Sequence, residues 1–252
     1  MFTKSSLYSR FGLTLLVSLG FALSSTVQAA TTQSSQNQSD TSVIAAVTPY
    51  VLFEPPNDDK VDNSRGGASR PVEQKCIQDE SSALPLTALI PQSGVGLTVA
   101  AHPTLLVYVP PTVATQAHLT LRDANHTGLY QGQVQIPQTG GILSIALPID
   151  SPELAVEETY HWSLALLCQP TQTDIPITSG QIRRVELSDA VPERSLLSQA
   201  VTYGRSGVWH DMLVNLALLK QTEPDNPSLN ANWIEVLQSE NLGAIANTPL
   251  LD

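Results

Sequence analysis

The chain has 252 residues with 12 basic and 23 acidic side chains, which gives a formal net charge of −11 at pH 7. An acidic surface repels phosphate backbones and anionic headgroups over a Debye length of about 8 Å. Nucleic acids and anionic membrane surfaces are therefore disfavoured as partners. We expect a protein with no nucleic-acid-binding function.

The first 29 residues have the pattern of a secretion signal. Lys4 and Arg10 supply positive charge, residues 11–23 form an uncharged and mostly apolar run, and small side chains precede a cleavage point after Ala29. The apolar run is shorter than the roughly 20 residues of a membrane-spanning helix, so an uncleaved anchor is the weaker alternative. We predict an exported protein, periplasmic or extracellular, with no stable membrane insertion after cleavage of residues 1–29.

Residues 30–75 have the composition of a disordered or extended linker. Apart from Asp40, residues 31–42 are all Ser, Thr, Asn or Gln, and such a stretch cannot bury enough apolar surface to offset the entropy of ordering. Pairs of Pro, Asp and Gly follow, which favour turns and irregular backbone. Within this linker, the short apolar piece 50–53 is expected to dock as an isolated strand.

Residues 76–187 have the pattern of a β domain. Short runs rich in Val, Leu, Ile, Thr and Tyr alternate with clusters of Pro, Gly, Asn and Asp, at intervals of about 8 to 15 residues. The predicted strands are 85–90, 96–100, 103–109, 118–123, 129–136, 142–147, 159–168 and 179–185. Because no insert is long enough for a crossover helix, we predict an antiparallel, immunoglobulin-like β-sandwich.

The predicted strand 159–168 is the clearest of the eight. Alternation places Tyr160, Trp162 and every second residue after them on one face, which predicts a core face. Leu154 lies six residues before Tyr160, a spacing that resembles the tyrosine corner of β-sandwiches. In that motif the tyrosine hydroxyl bonds to the backbone a few residues upstream. We expect Tyr160 and Trp162 to be structural residues.

Two cysteines, Cys76 and Cys168, lie at the two ends of this β region. An exported protein meets conditions that permit disulfides, and one even pair is the simplest arrangement. A bridge between them would close a loop of about 93 residues and is expected to stabilise the fold. Two buried free thiols are the alternative.

Residues 188–252 are predicted to form helices that pack on the sandwich. Apolar residues recur at 196, 197, 200 and 203, and again at 208, 212, 216 and 219, which is the spacing of two amphipathic helices. A turn is predicted at residues 204–207, and a further helix at residues 232–240. The first two helices resemble a single tetratricopeptide-like pair, although ordinary helices explain the spacing equally well.

No pattern in the sequence assigns a catalytic residue, a cofactor site or a metal site. The chain lacks a Gly-x-Ser-x-Gly elbow, a phosphate-binding glycine loop and a His-Glu-x-x-His helix. Adjacent residues on a helix point about 100° apart, so His210 and Asp211 do not by themselves form an oriented dyad. We predict that Trp209 packs on the first helix near Tyr203, and that His210 and Asp211 lie on flanking or exposed faces as a candidate interaction surface.

Several short sequences occur in an order that resembles a known family. In chain order they are Gly66, Gly67 and Arg70, Cys76, the run 86–91, Pro103 with the run 107–110, Tyr160 to Trp162 before Cys168, and the run 207–211. This order resembles the exported cyanobacterial domain-of-unknown-function family numbered 928, over nearly the whole of the chain that follows the predicted signal. The resemblance implies an exported location and this architecture, and no activity.

The leading interpretation is an exported non-enzymatic binding or scaffold protein of the cell envelope, whose partner is an unknown envelope protein or glycan. One alternative is an envelope assembly factor or chaperone that uses an exposed strand edge. Another is an envelope hydrolase or metal protein that uses His161 or His210 with Asp211. A cleft with two histidines and a carboxylate would favour the enzyme, whereas an uncovered hydrophobic sheet edge would favour the assembly factor.

Overall fold

The fold comes from a computed structural model that describes residues 49–56, 76–77, 84–168, 175–187, 191 and 195–251. The predicted signal peptide, residues 1–29, lies outside the described residues, as does most of the predicted linker 30–75. The described part of the chain is mainly β, with three helices towards the C-terminus.

Nine strands form two sheets. They are β1 (Thr87–Ala88), β2 (Val95–Thr98), β3 (Thr104–Val109), β4 (Gln116–Arg122), β5 (Gly128–Gln135), β6 (Gly141–Ala146), β7 (Thr159–Leu167), β8 (Ile177–Arg184) and β9 (Leu250–Leu251). The first sheet has the order β1-β3-β6-β9 and the second has the order β2-β8-β7-β4-β5. Each of the eight predicted strands overlaps one of β1 to β8.

The prediction of a wholly antiparallel, immunoglobulin-like sandwich is wrong, because both sheets are mixed. β2 pairs with β8 in parallel, and β9 pairs with β6 in parallel. A short hairpin forces two strands to run antiparallel, whereas strands joined by a long connection are free to pair in either direction. Both parallel pairs join strands that are far apart in the chain, so no local turn signal could specify their direction.

The core between the two sheets contains the inward side chains of both. β3 contributes Leu105 and Val107, β4 contributes Leu119, and β7 contributes Tyr160 and Trp162. The predicted alternation along β7 is confirmed, since its side chains are buried at every second position. The predicted tyrosine corner is confirmed as well, because the Tyr160 hydroxyl accepts a hydrogen bond of 2.9 Å from the backbone N–H of Ala155.

The helices cover the outer face of the β1-β3-β6-β9 sheet. They are α1 (Leu196–Arg205), α2 (Trp209–Thr222) and α3 (Pro227–Ser239), and a short 3-10 helix (Gly243–Ile245) follows them. Leu106 and Tyr108 of β3 and Ile142 of β6 point into a second hydrophobic cluster with residues of all three helices. This explains why β3 is apolar at successive positions, since it is buried on both faces.

Residues 49–56 pack against the helices, so residues 50–53 dock as predicted, but they do not form the predicted strand. Val51 and Phe53 are buried, whereas Tyr50 and Leu52 between them are exposed. The backbone N–H of Val51 donates to Asn232 Oδ1 at 3.1 Å, so the segment is held by α3 and belongs to neither sheet. The structure describes only residues 49–56 of the predicted linker 30–75, so the linker assignment stays a prediction.

The turn between α1 and α2 lies at residues 206–208, whereas the prediction placed it at residues 204–207. Gly204 lies inside α1, and Gly207 adopts a φ of +70°, which glycine adopts without strain. The backbone N–H of Val208 donates to Tyr203 O at 2.8 Å and that of Gly207 donates to Gly204 O at 3.1 Å. These two bonds form a Schellman cap, which ends α1 and directs the chain into α2.

Candidate functional site

The first turn of α2 is bonded to the end of β2 through Asp211. Asp211 Oδ2 accepts a hydrogen bond of 2.8 Å from the Thr98 hydroxyl and one of 3.1 Å from the backbone N–H of Val99. The Thr98 hydroxyl oxygen in turn accepts from the backbone N–H of Ala100 at 3.1 Å. A carboxylate is favoured at this position because the N-terminal end of a helix carries a partial positive charge.

Trp209 anchors the same turn from the other side. Its ring lies edge-on to Phe53, with 4.7 Å between ring centroids, and its Nε1 donates to Leu89 O at 2.8 Å. Tyr203 lies in the same hydrophobic cluster as Trp209, and the indole also contacts the sheet and residues 49–56. The polar N–H favours this orientation, because the backbone oxygen of Leu89 supplies an acceptor for it inside the protein.

The structure places His210 in the interior, which contradicts the predicted exposed or flanking position. Its side chain is 3% exposed, and no hydrogen-bond partner of Nε2 is found among the described residues. The sequence around it gave a usable signal. From Val208 to Leu219 the only charged residue is Asp211, a composition typical of a helix that is covered on more than one face.

A cleft opens beside this turn, between α1, α2 and the chain that joins β2 to β3. The cavity has a volume of about 120 Å³. Its polar lining comes from separate elements, with His102 and Thr104 on the β3 side, Tyr203 on α1 and Asp211 and Asn215 on α2. Ala100 and Val214 supply apolar wall, and His210 lines the cavity as well. Sequence reasoning missed His102, Thr104, Tyr203 and Asn215, because only the tertiary fold brings them together.

Burial changes the protonation equilibria of the groups around the cleft. Burial lowers the pKa of His210 to about 4, so its imidazole is neutral at physiological pH. Burial raises the pKa of Asp211, and the hydrogen bonds from Thr98 and Val99 partly offset that rise. The pKa of Tyr203 is raised by burial and, to a smaller extent, by the charge of Asp211.

Two of the polar side chains that line the cleft already form hydrogen bonds, which limits the bonds that they can form with a ligand. His102 Nε2 lies 2.9 Å from the backbone oxygen of Ser151, and Asn215 Nδ2 donates to Gln199 Oε1 at 3.1 Å. Asn215 therefore keeps its side-chain oxygen for other donors in the cleft. The arrangement combines acceptors, three hydroxyls and two apolar side chains, which suits binding of a small group with both polar and apolar parts.

His161 does not share this cleft. It lies on the outer face of β7, where its ring is 4.6 Å from that of His126, centroid to centroid. Burial and, secondarily, the neighbouring His126 lower its pKa. Of the two histidines considered with Asp211, the structure therefore brings only His210 to the same site.

Cys76 and Cys168 form a disulfide in the structure, with 5.6 Å between their Cα atoms. Among the described residues, no group of three or more His, Cys, Asp or Glu side chains is arranged to hold a metal ion. None of the helices within the described ranges has the length and apolar character that a membrane span requires.

Comparison with known proteins identifies the family. The family model described as Domain of Unknown Function (DUF928) matches residues 65–250, which is about three quarters of the chain. The chain belongs to this family. Among curated proteins, none matches the chain. The matched range of the DUF928 family includes strands β1 to β8, the disulfide and every residue that lines the cleft.

Solved structures similar to part of this DUF928 chain include an fn3 domain and part of a β-glucuronidase. The fn3 domain of human collagen α1(XX) has 14% identity and a TM-score of 0.26, and the match covers 45% of this chain and 93% of that one. A β-glucuronidase of Parabacteroides merdae has 17% identity and a TM-score of 0.25, with 44% of this chain and 15% of that one covered.

We predict that Gly96→Ala destabilises the fold because His210 occupies the space that the new methyl group needs. A Cβ at residue 96 would overlap His210 Nε2. Overpacking of this kind costs roughly 1 to 3 kcal/mol in unfolding free energy. Urea denaturation of the variant, followed by tryptophan fluorescence, measures the loss.

Gly128→Ala is the matched control, because a Cβ there has no neighbour within 4 Å, and we expect a change of about 0.5 kcal/mol or less. Adding His210→Ala to Gly96→Ala should recover part of the loss, since the two changes share one contact. Strictly additive losses in this double-mutant cycle would contradict the contact.

The buried His210 also predicts a pH dependence of stability. Its folded pKa, about 4, is depressed below the ordinary value of 6.5. Its contribution to stability is therefore present above pH 6.5 and is lost as pH falls towards 4, because only the unfolded chain takes up the proton in that range. The raised pKa of Asp211 acts in the opposite direction, since protonation of Asp211 on acidification favours the folded state.

Comparison of the wild-type protein with His210→Gln separates these two effects. We expect the wild type to lose roughly 3 kcal/mol more unfolding free energy than the variant between pH 6.5 and 4. Denaturant titrations at half-unit pH steps measure this difference. If the unfolding free energies of the two proteins fall equally as the pH is lowered, His210 is not buried in its neutral form.

Proposed function

We propose that this protein is an exported, non-enzymatic binding protein of the cell envelope, and that the cleft beside α2 binds a terminal group of a larger partner. The observation that carries the proposal is the convergence of His102, Tyr203, Asp211 and Asn215, from three separate elements, on one cavity. Convergent polar groups in a concave site with apolar walls are typical of ligand-binding sites.

The volume of the cavity favours binding of a terminal group of a larger molecule over enclosure of a whole small molecule. Pockets that enclose a complete ligand commonly have volumes of about 300 to 1,000 Å³, whereas this cavity has a volume of about 120 Å³. A side chain or another end group of a larger molecule fits a cavity of this size. The remainder of such a partner would lie on the protein surface.

The exported, cyanobacterial setting is part of this proposal. Export is supported by the signal pattern of residues 1–29 and by the disulfide between Cys76 and Cys168, since disulfides persist mainly outside the cytoplasm. The cyanobacterial origin rests on the family resemblance alone. Family membership supports the architecture and leaves the activity open.

An envelope hydrolase is the second candidate, and one observation favours it. His102, His210 and Asp211 line one cleft, so two histidines and a carboxylate are brought together. Two features favour binding over catalysis. A neutral imidazole with a pKa of about 4 is a weak general base, and Asp211 Oδ2 already accepts two hydrogen bonds from the end of β2.

The assembly-factor alternative receives less support from the sheet edges. β5 is an edge strand of the second sheet, and its most exposed side chains include Gln131, Gln133 and Gln135. An edge of this kind is polar, whereas strand capture commonly also uses apolar pockets for alternate side chains.

The test uses ¹⁵N-labelled protein and two sets of probes, which are soluble muropeptides from purified peptidoglycan and amino acids capped at both ends. Binding at the cleft predicts saturable shifts of the amide signals of Val99, Tyr203 and Asn215. Thr104→Val should weaken that binding, whereas Thr120→Val on β4 should leave it unchanged. Shifts that map only outside the cleft would reject the proposal.

The same samples test the hydrolase alternative. Spectra of the probes themselves, recorded over hours, reveal any bond that is cleaved. Cleavage that is lost in His102→Gln would replace the binding proposal with the enzymatic one.

A further inference from the structure

The carboxylate of Asp211 is a partly buried negative charge whose partners are neutral. The Thr98 hydroxyl and the Val99 N–H donate to it, and no described Lys, Arg or protonated His pairs with it. Arg184 is the nearest cation in the sheet register, since it is the Cα partner of Thr98. Its guanidinium instead donates to the backbone oxygens of Val99 and Leu154, at 3.3 and 2.8 Å.

A charge in such surroundings is favoured only when a counter-charge or sufficient donors compensate for its lost hydration. The N-terminal end of α2 supplies part of that compensation. The remaining titratable groups around the cleft are His102, Tyr203 and His210. Of these, Tyr203 and His210 are neutral at pH 7, because burial raises the pKa of the phenol and lowers that of the imidazole.

The walls of the cleft add a second requirement. Ala100 and Val214 have apolar side chains. They line the same cavity as Asp211 and Asn215, whose side chains both carry oxygen atoms. A ligand that matches both features has a methylene stem and a cationic end. A lysine side chain has this shape, since its stem packs on apolar surface while its ammonium group seeks acceptors.

Building on the binding function proposed above, we propose that the cleft receives a lysine side chain of a protein partner, with its ammonium group on Asp211 and its stem along Val214. The narrow stem suits a cavity of about 120 Å³ better than a sugar ring does. The net charge of −11 also favours encounter with a cationic partner.

The experiment is an NMR titration of the ¹⁵N-labelled protein with Nα-acetyl-lysine methylamide. The norleucine analogue is the neutral control, because it keeps the stem and lacks the ammonium group. We expect saturable shifts at Val99 and Asp211, with affinity for the lysine compound at least tenfold higher than for the norleucine compound.

Two variants test the role of the carboxylate. Asp211→Asn keeps an oxygen that can accept from Thr98 and Val99 but removes the charge, and should lower the affinity at least tenfold. Asp225→Asn removes an equal charge from the exposed turn after α2 and should leave the affinity unchanged. If Asp211→Asn fails to fold, Val214→Phe, which adds bulk to the cleft wall and keeps the carboxylate, should give the same loss.

The outcomes separate this inference from the proposed function. Equal binding of the lysine and norleucine compounds, or unchanged affinity in both cleft variants, would reject the ammonium site while leaving a binding cleft. Tighter binding of glucosamine than of the lysine compound would reassign the site to an amino sugar and reject the protein partner. If neither the lysine compound nor any muropeptide shifts the cleft signals, the proposed binding function itself fails.

Discussion

Replacement of Trp162 by alanine is expected to lower the unfolding free energy by roughly 3 to 5 kcal/mol, the range for truncation of a large buried aromatic side chain. Trp162 is 2% exposed and lies in the core between the two sheets, among residues such as Leu119 and Ile182. The cavity left by the indole cannot be filled by small movements, because inward side chains from both sheets surround it.

His161→Ala is the control for this measurement, since it truncates the neighbouring side chain on the opposite, partly exposed face of β7. We expect a much smaller loss of stability there. Urea denaturation followed by circular dichroism compares the two variants. A Trp162→Ala protein that keeps the wild-type midpoint and loses ligand binding would show that Trp162 belongs to a binding site.

Loss of the disulfide is expected to have an effect of similar size. The cysteines are 92 residues apart in sequence, and the chain-entropy relation gives roughly 4 to 5 kcal/mol for a loop of this length. The bridge connects the segment before β1 to the end of β7. Denaturation of a Cys76→Ser and Cys168→Ser double variant measures the loss.

A reducing agent supplies the matched control. It should destabilise the wild-type protein to about the same extent and leave the double variant unchanged. Alkylation under denaturing conditions gives an independent result. Two modified thiols in protein that was never reduced would show that the pair is not bridged.

Local patterns in the sequence were sufficient to predict the elements that depend on neighbours in the chain. The alternation along β7 and the spacing of Leu154 and Tyr160 each correspond to a feature of the structure. The helix after Pro224 begins earlier than the predicted residue 232, because Asn226 caps it and Pro227 occupies its first turn. That start signal was present in the sequence and was overlooked.

Features that depend on distant pairing could not be predicted in the same way. β9 has two residues, and no composition signal distinguishes it from a loop. The interior position of His210 depends on Gly96, which leaves room for the ring at a site 114 residues earlier in the chain. The cleft is a product of such contacts, so its residues carry no shared spacing or motif.

The pairing of β9 with β6 has a consequence for how the protein unfolds. Its two residues serve different clusters, since Leu250 packs with the helices and Leu251 packs with the core between the sheets. The chain enters the helices after β8, which belongs to the second sheet. It leaves them at β9, which belongs to the first sheet. The sequence changes from a strand pattern to a helix pattern at residue 187. We nevertheless expect the parts before and after this residue to unfold together. Sheets and helices are expected to melt in a single cooperative transition.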